Sequence, residues 1–186
     1  MQALLDPGDE VLVPDPRYTS YDEAIASAGG NFVLIPTDHD DAFNLRPEAV
    51  EAAITPQTKA LLIVTPSNPT GGIVTEDRLR AIAEIAIRHN LIVISDEIYE
   101  KFLYDGWKHF SIGSLPGMAE RTITLNGFSK TYAMTGFRVG FIAAPADVID
   151  AMTKVKAATT GPSATISQWA GLAALQGVQE PLREFQ

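Results

Sequence analysis

Several short stretches of this chain are apolar at nearly every position, and this limits its fold more than any other feature. EVLVP (residues 10–14), NFVLIP (31–36), KALLIVT (59–65) and LIVISD (91–96) run without the alternation of apolar and polar residues that marks a strand with one wet face. A strand of this kind is covered on both faces, as in a mostly parallel sheet between two layers of helices. Helical patterns fall between the runs. One spans residues 18–28 and ends at Gly29-Gly30, and RPEAVEAAI has Pro47 in its first turn. A third has Thr75 as N-cap, Glu76 and Asp77 in its first turn, and Leu79, Ile82, Ala83, Ile85 and Ala86 on one face. RTITLN and FRVGFIAAP read as two more strands, and helices fill the chain from Ala146 onward. The connections are too long for a meander. The pattern predicts an α/β fold of three layers, α/β/α, with no internal repeat and no low-complexity linker.

Composition excludes several functions. The chain has 14 Lys and Arg against 23 Asp and Glu, a net charge of −9, which argues against a nucleic-acid partner. No apolar run approaches the ~18 residues of a membrane span, and no leader-like order of charged, apolar and small residues opens the chain. The absence of cysteine rules out disulfides, thiolate nucleophiles and Cys-ligated metals, and it fits a cytoplasmic setting. The acidic run DHDD (38–41) reads as a solvated loop rather than a metal site, and His39, His89 and His109 are scattered singly with no catalytic role. MQALLDPGDEV opens on what reads as the last turn of a helix, and GLAALQGVQEPLREFQ stops inside another helical pattern. Both ends therefore read as cuts through a larger protein.

In such a sheet, ligands bind beyond the carboxyl ends of the strands. Asn68 in PSNPTGG, Asp96 at the end of LIVISD, and the Ser129-Lys130 pair in NGFSKTYAMTGFRVGF each follow a strand, so they are expected to converge on one edge. Taken singly, each has an ordinary explanation: a turn residue, a helix cap, a solvated lysine, and for Arg138 a structural ion-pair partner. Together they match the needs of pyridoxal phosphate chemistry. That chemistry uses a lysine to form the internal aldimine and shuttle a proton, and an acid facing the pyridine nitrogen. It also needs donors to the ring's phenolate oxygen, and an arginine with helix-end amides for the phosphate. Asp96 suits the nitrogen, Tyr99 and Asn68 the phenolate oxygen, Lys130 the aldehyde carbon and Arg138 the phosphate.

SNPTGG, SDEIYE and GFSKTYAMTGFRVG occur in the order and spacing of the class I and II aminotransferases, and the sequence resembles that fold-type I pyridoxal phosphate family over nearly its whole length. The resemblance implies a mixed sheet in which FRVGFIAAP runs antiparallel. It also implies that Tyr18 stacks on the pyridine ring, and that Asn68–Pro69 and Asp15–Pro16 are candidates for cis peptides. Gly127 departs from the pattern, because many relatives carry a phosphate-binding serine there; Ser129 is the candidate substitute. The family is about twice this length, so residues 1–186 are expected to be most of the large, cofactor-binding domain, with 146–186 leading toward a small domain. Lys130 is the expected catalytic residue of an enzyme that moves an amino group from an amino acid to a 2-oxo acid, as a homodimer. A C–S lyase or decarboxylase on the same cofactor remains open, as does a non-catalytic effector-binding or inert form of the domain. Tyr18 and Tyr21 border the pocket without selecting a substrate.

Overall fold

The computed structural model describes residues 1–180 and 182, so the part of the last helical pattern at 181 and 183–186 lies outside the described residues. Six strands form one sheet: β1 (Glu10–Asp15), β2 (Asn31–Pro36), β3 (Thr58–Val64), β4 (Ile92–Asp96), β5 (Thr122–Gly127) and β6 (Gly140–Ala143). Their spatial order is β2-β1-β3-β4-β5-β6, and only the β5–β6 pair is antiparallel. Among the described residues five α-helices connect or follow them: α1 (Ser20–Ala26), α2 (Pro47–Ala52), α3 (Glu76–Arg88), α4 (Ala146–Thr159) and α5 (Thr165–Gln176).

The alternation of side chains along each strand divides the core in two. Leu12, Leu61, Ile63 and Val93 face the layer of α2 and α3, where they meet Val50, Leu79, Ile82, Ile85 and Met118. Val11, Val13, Ala60, Leu62, Ile94 and Ile123 face the other way, toward Ile25 of α1 and Val148 of α4. The sheet is thus the middle of three layers. All five residues expected on the inner face of α3 are buried. Burying side chains such as Leu79, Ile82 and Ile85 stabilises the fold by roughly 1.5–3 kcal/mol each.

Two elements differ from the sequence pattern. FRVGFIAAP was expected to be extended throughout, yet the strand begins only at Gly140. Thr135–Phe137 form a 3-10 turn and Arg138 is left-handed, with φ of 50°, so the chain cannot pair before it straightens. The two edge strands are also not covered on both faces: Phe32 and Leu34 of β2 and Phe141 and Ile142 of β6 are exposed. Cis peptides occur at both expected sites, Asp15–Pro16 and Asn68–Pro69, and also at Thr65–Pro66.

This topology creates a crevice. From β1 the chain crosses through α1 on one face to β2, then returns through α2 on the other face to β3. The segments leaving the carboxyl ends of β1 and β3 therefore diverge, and such a switch point is where open α/β sheets bind ligands.

Candidate active site

Asp96 ends β4, half-buried, and both its carboxylate oxygens are held. The Tyr21 hydroxyl donates to Oδ2 at 2.7 Å, and the backbone N–H of Ile98 donates to Oδ1 at 3.0 Å. Tyr21 reaches this point because the β1–α1 turn is clamped. The Arg17 guanidinium forks onto Asp22 through Nε (2.8 Å) and Nη2 (2.6 Å), and its Nη1 bonds Asp15 at 2.6 Å. A fork onto a carboxylate fixes direction as well as distance. Tyr18, in the same turn, is 49% exposed and stands edge-on to Tyr21, ring centroids 5.7 Å apart at 89°. Burial, and then the Asp96 charge, push the Tyr21 hydroxyl well above the ordinary phenol range, so it stays protonated and donating.

Asn68 leaves β3 in a tight loop closed by the bonds Ser67 N–H to Gly72 carbonyl (2.8 Å) and Gly71 N–H to Ser67 carbonyl (2.9 Å). Gly72 has no room for a side chain, since a Cβ there would lie 2.8 Å from the Ala42 carbonyl oxygen. Asn68 and Tyr21 line one narrow cavity of about 20 Å³ at the switch point. Beside it, an open cleft of about 630 Å³ is lined by Phe43, Ser67, Gly72, Tyr99, Phe102 and Trp107.

The Tyr99 segment is anchored by a buried acid. Glu97, 3% exposed, accepts hydrogen bonds at Oε1 from Ser95 (2.8 Å) and Ser111 (2.7 Å), and pairs through Oε2 with His109 Nε2 at 2.7 Å. Burial alone would raise its carboxyl pKa, but the bonds from His109, Ser111 and Ser95 outweigh it and hold the group below the ordinary glutamate value. The clasp ties both ends of the segment 97–111 to β4. His109 is thus not isolated in space. DHDD is also more than a solvated loop: Asp38 caps its own 3-10 turn, and Asp41 pairs with Arg78 at 2.6 Å.

Lys130 lies in a coil after β5 that is pinned by Phe128, whose carbonyl accepts from the N–H groups of Tyr132 and Met134. Phe128 is buried, packing near Phe141 and under Gly171 of α5. The Lys130 ammonium is exposed, with Nζ 5.5 Å from the centre of the Tyr99 ring. Among the described residues it has no hydrogen bond or ion pair. Ser129 is half-buried beside it. Arg138 is exposed, and its Nη1 donates to the Thr135 carbonyl at 2.9 Å. At Gly127 the backbone runs so close to β6 that a Cβ would lie 3.1 Å from the Gly140 Cα. A side chain here would need the facing strand to give way.

The structure thus places Tyr18, Asn68, Asp96, Tyr99 and the Ser129-Lys130 pair in segments that leave the carboxyl edge of the sheet. It links Tyr18 to Asp96 through Tyr21, and Tyr99 to Lys130 by a cation–ring contact. The Arg17 clamp, the Tyr21–Asp96 bond and the Glu97–His109 clasp were not foreseen. An acidic residue directly after Asp96, within a helix-like EIYE, gave no sign of its partners 12 and 14 residues further on.

A mostly parallel sheet with an acid and a lysine beyond adjacent strand ends is the large-domain architecture of the fold-type I transferases. Residues 1–186 match aminotransferase class I and II, and the chain belongs to that family, whose enzymes depend on pyridoxal phosphate. It is 45% identical to aromatic-amino-acid aminotransferase 2 of Thermococcus litoralis over 100% of this chain and 49% of that protein. It is 44% identical to the aspartate aminotransferase of Geobacillus stearothermophilus over 99% of this chain and 47% of the relative. Among solved structures, the aromatic aminotransferase from Pyrococcus horikoshii superposes with a TM-score of 0.96 at 45% identity, covering 99% of this chain and 50% of that one. The aspartate aminotransferase from Thermus thermophilus with maleate gives 0.93 at 46% identity, covering 99% and 47%. The chain spans about half the length of the curated relatives it matches.

Proposed function

We propose that residues 1–186 form the cofactor-binding large domain of an aminotransferase, with 146–186 leading toward a small domain. The observation that carries this reading is the pairing of two opposite states at one sheet edge: a carboxylate held in a fixed plane, and an exposed lysine that, among the described residues, has a ring contact but no hydrogen bond or ion pair. The residues fit pyridoxal phosphate. A carboxylate has about four lone-pair sites, and Asp96 has one taken on each oxygen, so each oxygen keeps one for a pyridine N–H. When bound, the cofactor supplies the electron sink that weakens the bonds at the substrate's α-carbon.

The chain's own residues do the rest. Asp96 would face the ring nitrogen and hold its proton. Tyr18 would stack on the ring, while Tyr99 and Asn68 would donate to the phenolate oxygen. Ser129 and Arg138 would hold the phosphate, Arg138 by charge and fork geometry. Lys130 Nζ would hold the aldehyde carbon and would accept the proton from the substrate's α-carbon. The partners are an amino acid and a 2-oxo acid, with the aspartate and aromatic preferences named for the relatives as the first candidates. We further infer a homodimer working in the cytoplasm, consistent with the family and with the lack of cysteine. Among the described residues no helix is long and apolar enough to cross a membrane.

The test is transfer of ¹⁵N from labelled aspartate or phenylalanine to 2-oxoglutarate by the purified protein with pyridoxal phosphate. Labelled glutamate is expected, with rates at least about 10³-fold lower in Lys130→Ala. Equal rates in that variant would overturn the assignment, and release of ammonia without labelled glutamate would make the protein a lyase.

A further inference from the structure

Tyr21 stands between two residues assigned to the cofactor without being assigned to it. Its hydroxyl bonds Asp96 from 75 residues away in sequence, and its ring packs perpendicular to that of Tyr18, centroids 5.7 Å apart. The bond to Asp96 Oδ2 comes from α1, and the bond to Oδ1 from the backbone after β4. Turning the carboxylate about its own axis breaks both bonds, so the two elements together fix its plane. The charged and titratable neighbours of the Tyr21 hydroxyl are Asp96, Tyr99 and Tyr18, and none is a cation that would draw the phenol proton away. Arg17, the nearby cation of the turn, is occupied by Asp15 and Asp22.

We propose that Tyr21 is a positioning residue for the cofactor: its hydroxyl sets the plane in which Asp96 meets the pyridine nitrogen, while its ring holds Tyr18 at the angle for stacking. This rests on the reading of Asp96 and Tyr18 given above. Two separable consequences follow. The hydroxyl acts only through the ring nitrogen, whereas the perpendicular ring contact acts on stacking whatever atom occupies that position.

The experiment measures the dissociation constants of pyridoxal phosphate, and of its analogue with carbon in place of the ring nitrogen, in the wild-type protein, Tyr21→Phe and Tyr21→Leu. Loss of a hydrogen bond to a charged group predicts that Tyr21→Phe weakens pyridoxal phosphate binding about tenfold or more and the analogue by less than about twofold. Tyr21→Leu weakens both, because the edge-to-face contact goes as well. If Tyr21→Phe lowers both affinities equally, or neither, Tyr21 is only a packing residue and the proposal fails while the cofactor reading stands. A variant that misfolds lowers both affinities and counts against the proposal in the same way. If the wild-type protein does not bind pyridoxal phosphate saturably, the cofactor reading falls, and this inference with it.

Discussion

The ends of β4 and β5 lie side by side, yet they are built in opposite ways. At the end of β4 the carboxylate oxygens of two successive acids are tied down: those of Asp96 by Tyr21 and Ile98, those of Glu97 by Ser95, Ser111 and His109. Beyond β5 the backbone is pinned by Phe128, but the charged groups it carries, Lys130 and Arg138, are exposed. The difference suits the roles proposed for the two ends. An acid that faces one atom of a ring works best held in one plane, and the cost of desolvating it is met by hydrogen bonds formed in the folded chain. A lysine that must be displaced and then move a proton needs a firm backbone and a free ammonium group. The held carboxylate and the exposed amine are both set up by the protein alone.

If this contrast is right, stability and chemistry should separate between the two ends. The largest stability effect is expected at the fixed end. Glu97→Ala removes a buried carboxylate that accepts three hydrogen bonds and should cost about 3 kcal/mol in urea unfolding at pH 7. Because the folded-state carboxyl pKa is depressed, its contribution is fully present above the unfolded value of about 4.5 and is lost as pH falls through the folded value. The gap between wild type and variant should therefore narrow as pH falls below about 4.5. A gap that widened below about 4.5 would mean that Glu97 is protonated in the fold.

The smallest effect is expected at the open end. Lys130→Ala should change unfolding free energy by no more than about 0.5 kcal/mol, as for an exposed side chain with a single ring contact. A loss of 2 kcal/mol or more, roughly what a buried charge-assisted hydrogen bond contributes, would show that Lys130 is part of the scaffold.

How much of this was legible in the sequence follows from the range of each interaction. The five inward residues of α3 repeat at helical spacing, and strands buried on both faces show as unbroken apolar runs, so the three layers could be read directly. That Asn68, Asp96 and Lys130 lie at the same edge of the sheet could be read as well, because each follows a strand and parallel strands share one carboxyl edge. What escaped depends on geometry that no spacing encodes. The Tyr21–Asp96 bond needs the cant of α1 set by Arg17, and the Glu97 clasp needs a 15-residue segment to return on itself. The late start of β6 at Gly140 depends on the left-handed backbone of Arg138, a conformation that arginine seldom adopts.

The most direct test of the account is reduction with borohydride after adding pyridoxal phosphate, followed by peptide mapping. The account predicts a visible absorption band that borohydride abolishes, one cofactor bound per chain, and the label on the peptide carrying Lys130, with none in Lys130→Ala. Label spread over the exposed lysines, or an equal yield from the Lys130→Ala protein, would contradict it.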